Sequence, residues 1–582
     1  MRPATATIRC FAVVVMILAS ARPAAAEPDA LGSYEQTALD AVLAREKLKI
    51  EPHPEGKRVH AIRVENLEVF GEVSGFLQWF NIFHRTTRKD VIAREVLLVP
   101  GMLWDQAAID ETMRRLRNPL YSTLVVIVPV VGPPGTVDVL VVTRDVWSLR
   151  MNSRYALQAT QLAQLSISIS ENNLFGWRKT AAFVFDMDLG DYSLGPLYLD
   201  PNIAGTHLQL LAQAAAIFSR ETSDFEGEKA HVELAYPFWS LRRPWSFSVV
   251  VDHYDAIVRE FQGRGFLTYD APETAADDAI PWIYAHHTLD VKWEVVRGFG
   301  DAVEHRVGLG YELSLSRPAL VSRVEDLVAG DPALEAAFVR DVLPRSERTA
   351  AVVARYRLFT PRYAEYRNID SFDLTEDRKL GPDAQLKVGA ALPVLGSEPR
   401  FWLAQATASY ALGLGPHGLA EIAAAATTRI QDGDAIDNEV TIAAEAASPP
   451  ILGVARVVGR ALFAARIDER SNRFYAVGGL NGLRGYPIAA FIGQKEVLLN
   501  AEVRTLPVPV WFLRAGAIAF WDAGNAADSV DDLGLYQDVG IGLRMLVPQL
   551  SSLVYRFDWA IALDGPTRGF PGRISAGLEQ VF

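Results

Sequence analysis

Cysteine is almost missing from this chain of 582 residues: Cys10 is the only one, and it lies inside an N-terminal apolar stretch, not at its end. Neither a lipid-attached cysteine nor a disulfide is therefore expected in the mature protein. Long hydrophobic runs are missing too. No later stretch reaches eighteen apolar residues without a charge, and the best candidate, after Pro450, is interrupted by Arg456 and Arg460, which excludes a membrane-spanning helix. The ten histidines never fall at metal-ligand spacing: His286 and His287 are adjacent and so point to opposite faces of a strand, and there is no His-Glu-x-x-His. A Gly-x-Ser-x-Gly elbow, a Walker-type phosphate loop and a glycine-rich dinucleotide fingerprint are absent as well. The expectation is a protein with no metal, no cofactor and no enzymatic activity.

Positive charge is in short supply, with 57 basic against 70 acidic side chains and a net charge of −13. Nucleic acid is thus not an expected partner. Much of the basic charge at the N-terminus belongs to a signal: Arg2 and Arg9 precede the nine-residue apolar run Phe11 to Ala19, and Ala24-Ala25-Ala26 offers small residues for cleavage before Glu27. Residues 1–26 read as a secretory signal peptide. Its removal takes three arginines and no acid, leaving 54 basic against 70 acidic side chains and a net charge of −16.

Residues 27–58 hold one helix candidate, Tyr34 to Lys49, with Leu39, Val42, Leu43 and Leu48 on one face, followed by a Pro/Gly-rich linker from Glu51 to Gly56. From Val59 to Val146 the pattern predicts β-α-α-β-β. An alternating strand carries Ile62 and Val64. A helix opens at Thr87 with Asp90 three residues on and continues through Ile92, Val96 and Val99; a second opens at Asp105, with Trp104 and Ile109 placed as a hydrophobic staple. Tyr121 to Val131 and Val137 to Thr143 are valine-rich and flank the turn Gly132-Pro-Pro-Gly135.

Residues 147–582 alternate with period two almost throughout. Leu165, Ile167 and Ile169 interleave with serines; Leu289, Val291, Trp293 and Val295 interleave with Asp290, Lys292 and Glu294. A soluble sandwich also alternates, but so many segments over more than 400 residues, behind an export signal and with aromatics near strand ends as in Tyr236-Pro-Phe-Trp239, favour a transmembrane antiparallel β-barrel. At roughly 25 to 30 residues per strand and loop the barrel is expected to have on the order of sixteen strands. Glu260 to Ile280 and Arg317 to Arg345 read as its longer loops.

Near the C-terminus stand Gly478-Gly-Leu-Asn-Gly-Leu-Arg-Gly-Tyr486, Phe491-Ile-Gly493 and Leu498-Leu-Asn-Ala-Glu-Val-Arg504, then Phe520-Trp-Asp-Ala-Gly-Asn525, Val539-Gly-Ile-Gly-Leu-Arg544, Tyr555-Arg-Phe-Asp558 and the terminal Phe582. In this order the motifs resemble the C-terminal barrel of the BamA/TamA-type outer-membrane assembly and secretion superfamily, and the β-α-α-β-β segment resembles that family's periplasmic POTRA module. Five strands are expected after Tyr486. In them Asn500, Glu502 and Arg504 share one face, and Gly516, Ile518, Phe520 and Asp522 share another, so both acids point into the lumen beside two apolar side chains that need cover.

The residues alone leave two readings open: solvated lumen charges beside an exposed loop arginine, or a lock. The resemblance implies the lock, in which the loop folds back into the lumen, Arg484 pairs with Glu502 and Asp522, Gly485 permits close approach, and Tyr486 packs near Phe520. Gly479, Gly493 and Gly524 are expected as turn glycines. The resemblance also implies that Phe582 is an assembly signal, that the N-terminal domain is periplasmic, and that the partners are outer-membrane lipid, unfolded client proteins and accessory proteins of the periplasm or inner membrane. It leaves insertion of clients, a secretion pore and a surface adhesin as functions. Only one POTRA-like module is present, fewer than is usual in the family, while the helix before Pro52 resembles the plug helix of two-partner transporters.

Overall fold

The computed structural model describes residues 31–69, 85–118, 120–158, 161–272, 274, 277–479, 482–548, 553–565 and 568–578. The expected signal segment, residues 1–26, and Phe582 lie outside them.

The small N-terminal unit contains α1 (Ser33–Glu46), β1 (Arg58–Leu67), α2 (Lys89–Ala93), α3 (Gln106–Leu116), β2 (Ser122–Val131) and β3 (Thr136–Asp145). Its sheet runs β1-β3-β2, with β1 parallel and β2 antiparallel to β3. Helix α2 is shorter than the stripe Ile92, Val96, Val99 predicts: it stops at Ala93, and Val99 is exposed. Pro100-Gly101 follows closely, and Gly101 N–H instead donates to the Val59 carbonyl at 2.8 Å, so this stretch pairs with the edge of β1 rather than extending the helix. Asp105 caps α3 by accepting from Ala108 N–H, 3.3 Å away.

Both sheet faces are covered, because alternate residues of β2 and β3 are apolar on both sides. Val125, Ile127, Val139 and Val141 pack with Ile92, Ile109 and Leu116, while Leu124, Val126, Leu140 and Val142 pack with Ala38, Leu39 and Val42 of α1. Helix α1 therefore lies on the sheet, sharing a core with it, and does not occupy the position of a plug helix. Ile109 is fully buried. Ile109→Ala is expected to destabilise this unit by about 2–5 kcal/mol, read as lost hydrogen-exchange protection confined to residues 58–145 of the full chain.

The rest of the chain is a closed, antiparallel β-barrel. Among the described residues twenty strands go round it, from Leu149–Gln158 to Arg573–Leu578, with the short segments Arg362–Arg367 and Val508–Val510 as extensions. The expected sixteen is corrected upward because many connections are far shorter than the assumed loop: Asp432-Gly433 alone joins Leu419–Gln431 to Asp434–Ala447. The outward face is apolar and exposed, as at Met151, Ile169, Leu309, Trp402 and Ile541, whereas neighbours such as Ser170 and Asp538 are buried within. No helix among the described residues is long and apolar enough to cross a membrane.

The small unit stands at one end. Arg117 donates to Glu365 at 2.6 Å and to Asp377 at 3.1 Å, and Leu241 N–H donates to Glu111 at 2.7 Å. Arg242 pairs with Asp105, and that hydrogen bond holds the Asp105 carboxyl below the usual range. At the opposite end the two long loops are folded, not open. Ser322–Val328 and Pro332–Asp341 form helices that share a core with Tyr269, Ile280 and Ile283.

Candidate functional site in the barrel lumen

The connection between Ala455–Ile467 and Lys495–Thr505 leaves the end remote from the small unit and turns back inward. A ribbon of Tyr475–Val477 and Phe491–Gly493 forms its stem, and Gly479 N–H donates to the Tyr486 carbonyl at 3.0 Å. That bond closes the loop whose lower side presents Arg484.

The five strands expected after Tyr486 are Lys495–Thr505, Leu513–Ala527, Tyr536–Leu546, Tyr555–Ala562 and Arg573–Leu578. Register sets their inner faces side by side: Asn500 opposite Asp522 and Asp522 opposite Asp538, then Glu502 opposite Phe520 and Phe520 opposite Gly540. Arg484 enters this surface. Its Nε and Nη2 donate to the two oxygens of Asp522 at 2.7 and 2.8 Å, and its Nη1 donates to Glu502 at 2.7 Å. The guanidinium lies 3.4 Å from the Phe520 ring centroid. The Arg484 side chain is 1% exposed and those of Glu502 and Asp522 are 0% exposed.

Charges so far from water persist only when paired and hydrogen-bonded on all sides. Most of the network meets that condition, with Asp538 Oδ1, Asn500 Oδ1 and Arg556 Nε as its buried atoms without a hydrogen-bond partner among the described residues. Arg504 donates to the second Glu502 oxygen at 2.6 Å, Arg544 donates to Asp558 at 2.6 Å, and Arg556 stands 3.9 Å from Asp558. Asp538 accepts from Gly485 N–H at 2.9 Å, and Asn500 donates to both the Gly482 carbonyl and Asp522 at 2.8 Å. Three carboxylates, Glu502, Asp522 and Asp558, thus pair with four guanidiniums, of which only Arg484 comes from the loop.

Three glycines make the space. A Cβ on Gly485 would stand 2.6 Å from that of Asp538, one on Gly540 would stand 2.2 Å from the Phe520 ring, and one on Gly542 would stand 2.1 Å from an Asp558 oxygen.

Other placements differ from expectation. Tyr486 does not pack near Phe520. It points the other way, with its ring centroid 5.3 Å from Phe491 and its hydroxyl 2.9 Å from the Gln537 carbonyl, and the Arg484 guanidinium takes the place over Phe520. From above the ring the fork reaches both acids. Gly493 and Gly524 are not turn residues: each lies in a strand, where a Cβ would stand 2.2 Å from the Ala527 carbonyl carbon and 2.5 Å from the Val497 carbonyl oxygen respectively. Gly479 has φ +70° and is a turn glycine. The partners Asp538, Arg544 and Asp558 were not singled out from sequence. Their signal was parity, since Asp538, Gly540, Gly542 and Arg544 alternate with Val539, Ile541 and Leu543. Among the described residues no cluster of three or more His, Cys, Asp or Glu side chains is placed to hold a metal ion.

Fold and site together define a closed antiparallel barrel whose lumen holds one of its own loops through buried ion pairs. No family model and no curated protein matches the sequence. Among solved structures the chain is similar to BamA from Haemophilus ducreyi lacking POTRA domains 1–3, at 12% identity over 92% of this chain and 88% of that one, with a TM-score of 0.33. It is also similar to CdiB from Escherichia coli, at 12% identity over 90% and 76% with a TM-score of 0.42, and to CdiB from Acinetobacter baumannii, at 11% identity over 90% and 74% with a TM-score of 0.38.

Proposed function

We propose that this chain is an outer-membrane barrel that inserts or translocates client proteins, with its small unit in the periplasm acting as a POTRA-type module and with no catalytic role. The outward apolar belt suits lipid, and closure leaves no strand edge without partners inside it. The observation that carries the reading is the seam. Among the described residues, which end at Leu578, the first strand of the barrel, Leu149–Gln158, closes on the last, Arg573–Leu578, with Ser575 opposite Ala156 and Ala576 opposite Tyr155. A seam between the first and last strands, joined by no chain connection, is where a client strand can be added to a barrel in lipid. Beside it, the locked loop keeps the neighbouring strands in register.

The test is a disulfide between cysteines placed at Tyr155 and Ala576 in a Cys10→Ser background. With the seam oxidised, vesicles containing the protein should fail to speed insertion of an unfolded barrel precursor, and reduction should restore the rate. Undiminished insertion across an oxidised seam sinks the insertase reading. A secretion pore is the second reading, favoured by a lumen cavity of about 440 Å³ lined by polar Arg357, Asp383, Gln385, Thr407 and Ser409. It predicts that translocation into vesicles survives the same disulfide.

A further inference from the structure

The segment 360–380 does more than connect two strands. Arg362–Arg367 pairs with the start of Thr375–Ala391, from Arg362 opposite Leu380 to Arg367 opposite Thr375, and so extends beyond the rows in which Glu347–Phe359 pairs with the same strand. Its tip is folded on itself. The Glu376 carboxylate accepts from the backbone N–H groups of Ile369 and Ser371 at 3.1 and 3.0 Å and from the Ser371 hydroxyl at 2.9 Å, and Asn368 accepts from Asp373 N–H at 2.7 Å.

This hairpin reaches strands that are not its neighbours. Tyr366 and Ile369 pack on Ala447 and Val458, four and five strands away around the wall from Glu347–Phe359. Farther on, Arg504 donates to the Ile369 carbonyl at 3.2 Å, Arg514 pairs with Asp373 at 3.3 Å, and Phe372 packs with Leu546. A segment that leaves one side of a barrel and touches inward residues of the other side crosses the mouth between them, here the mouth nearest the small unit.

The small unit holds the same hairpin from outside. Glu35 accepts from the Thr375 hydroxyl at 2.9 Å, Arg117 clamps Glu365 and Asp377 across the two arms, and the Arg114 guanidinium lies 4.3 Å from the Tyr363 ring centroid. On the lumen side one continuous chain of contacts runs from the tip to the loop at the far end: the Ile369 carbonyl, Arg504, Glu502, Arg484.

We infer that the hairpin 360–380 is a gate across the small-unit mouth of the lumen, kept shut by the small unit and coupled through Arg504 and Glu502 to the loop bearing Arg484. The inference rests on the membrane-barrel reading above. Displacement of the small unit breaks the Arg117 and Glu35 contacts and frees the hairpin to leave the mouth, which admits an extended polypeptide. Arg504 is the positioning residue: it holds the tip and orients the acid that receives Arg484, so the two obstructions move together.

Single-channel conductance of the full chain in planar bilayers tests this. The wild type should be nearly silent. Replacing residues 368–374 by Asn-Gly should give frequent large openings. Arg117→Glu, which leaves the hairpin intact but sets a third acid beside Glu365 and Asp377, should raise open time at least about tenfold, since the loss of even one such charged pair shifts an equilibrium by that order. Linking cysteines at Asp373 and Arg514 with a cleavable bismaleimide in the Arg117→Glu background should close the channel, and cleavage should reopen it. If both variants insert with heat-modifiable mobility yet stay as silent as the wild type, the gate is wrong. Should the tip variant fail to fold, Arg117→Glu and its cross-link decide alone. A wild type that never enters vesicles overturns the membrane reading, and the gate with it.

Discussion

Alanine at Arg484 is expected to destabilise the folded barrel by about 3–5 kcal/mol, the range for removing one partner of a buried ion pair. The cost arises less from the lost attraction than from what is left behind. Asp522 loses both of its guanidinium contacts and Glu502 loses one, in a place where their side chains are fully buried. Asp522 is then left with no guanidinium, because Arg504, Arg544 and Arg556 stay with Glu502 and Asp558. Arg484→Lys should fall between, because an ammonium is a point charge that cannot serve both acids with a planar fork. Adding Glu502→Gln and Asp522→Asn to the alanine variant should recover part of the loss by removing the uncompensated charge. Denaturant unfolding of the detergent-solubilised barrel and its heat-modifiable mobility measure these effects. A midpoint for Arg484→Ala equivalent to less than about 1 kcal/mol of change would show that water reaches the acids and that the loop is not held there.

Period two made the barrel legible in the sequence because a strand with one face to lipid and one to a polar lumen must alternate. The same parity places Glu502, Phe520 and Asp522 on inner faces, where the ladder sets Glu502 opposite Phe520 and Asn500 opposite Asp522. What alternation does not encode is how strands close. Strand number depends on connection length, and connections of two residues leave no mark distinguishable from a turn glycine inside a longer loop. The direction of Tyr486 was equally hidden, because a loop has no fixed period and its partners, Gln537 and Asp564, lie on a loop and strand end more than fifty residues later. The hairpin 360–380 reads as one more alternating turn. Its destination depends on which strands face each other across a barrel of twenty, a quantity that no local pattern carries.

Gly540→Ala is expected to reproduce much of the Arg484→Ala phenotype without altering a charge. The added Cβ would stand 2.2 Å from the Phe520 ring and 2.3 Å from the Trp559 carbonyl oxygen, well inside van der Waals contact. The carbonyl belongs to a paired strand and is not free to move, since Gly540 lies opposite Ala560 in the ladder. That contact strains the ladder, and the ring, which is also too close, must shift toward the guanidinium that rests 3.4 Å from its centroid. Overpacking of this kind costs about 1–3 kcal/mol, to which the disturbed Arg484 contacts add. A second substitution separates the two causes. Phe520→Leu in the Gly540→Ala background relieves the clash with the ring but not that with the Trp559 carbonyl, so the pair should lose less stability than the two single changes added together. An additive pair, with no recovery beyond about 0.5 kcal/mol, would mean that the two residues do not compete for the same space and that Gly540 serves only the strand.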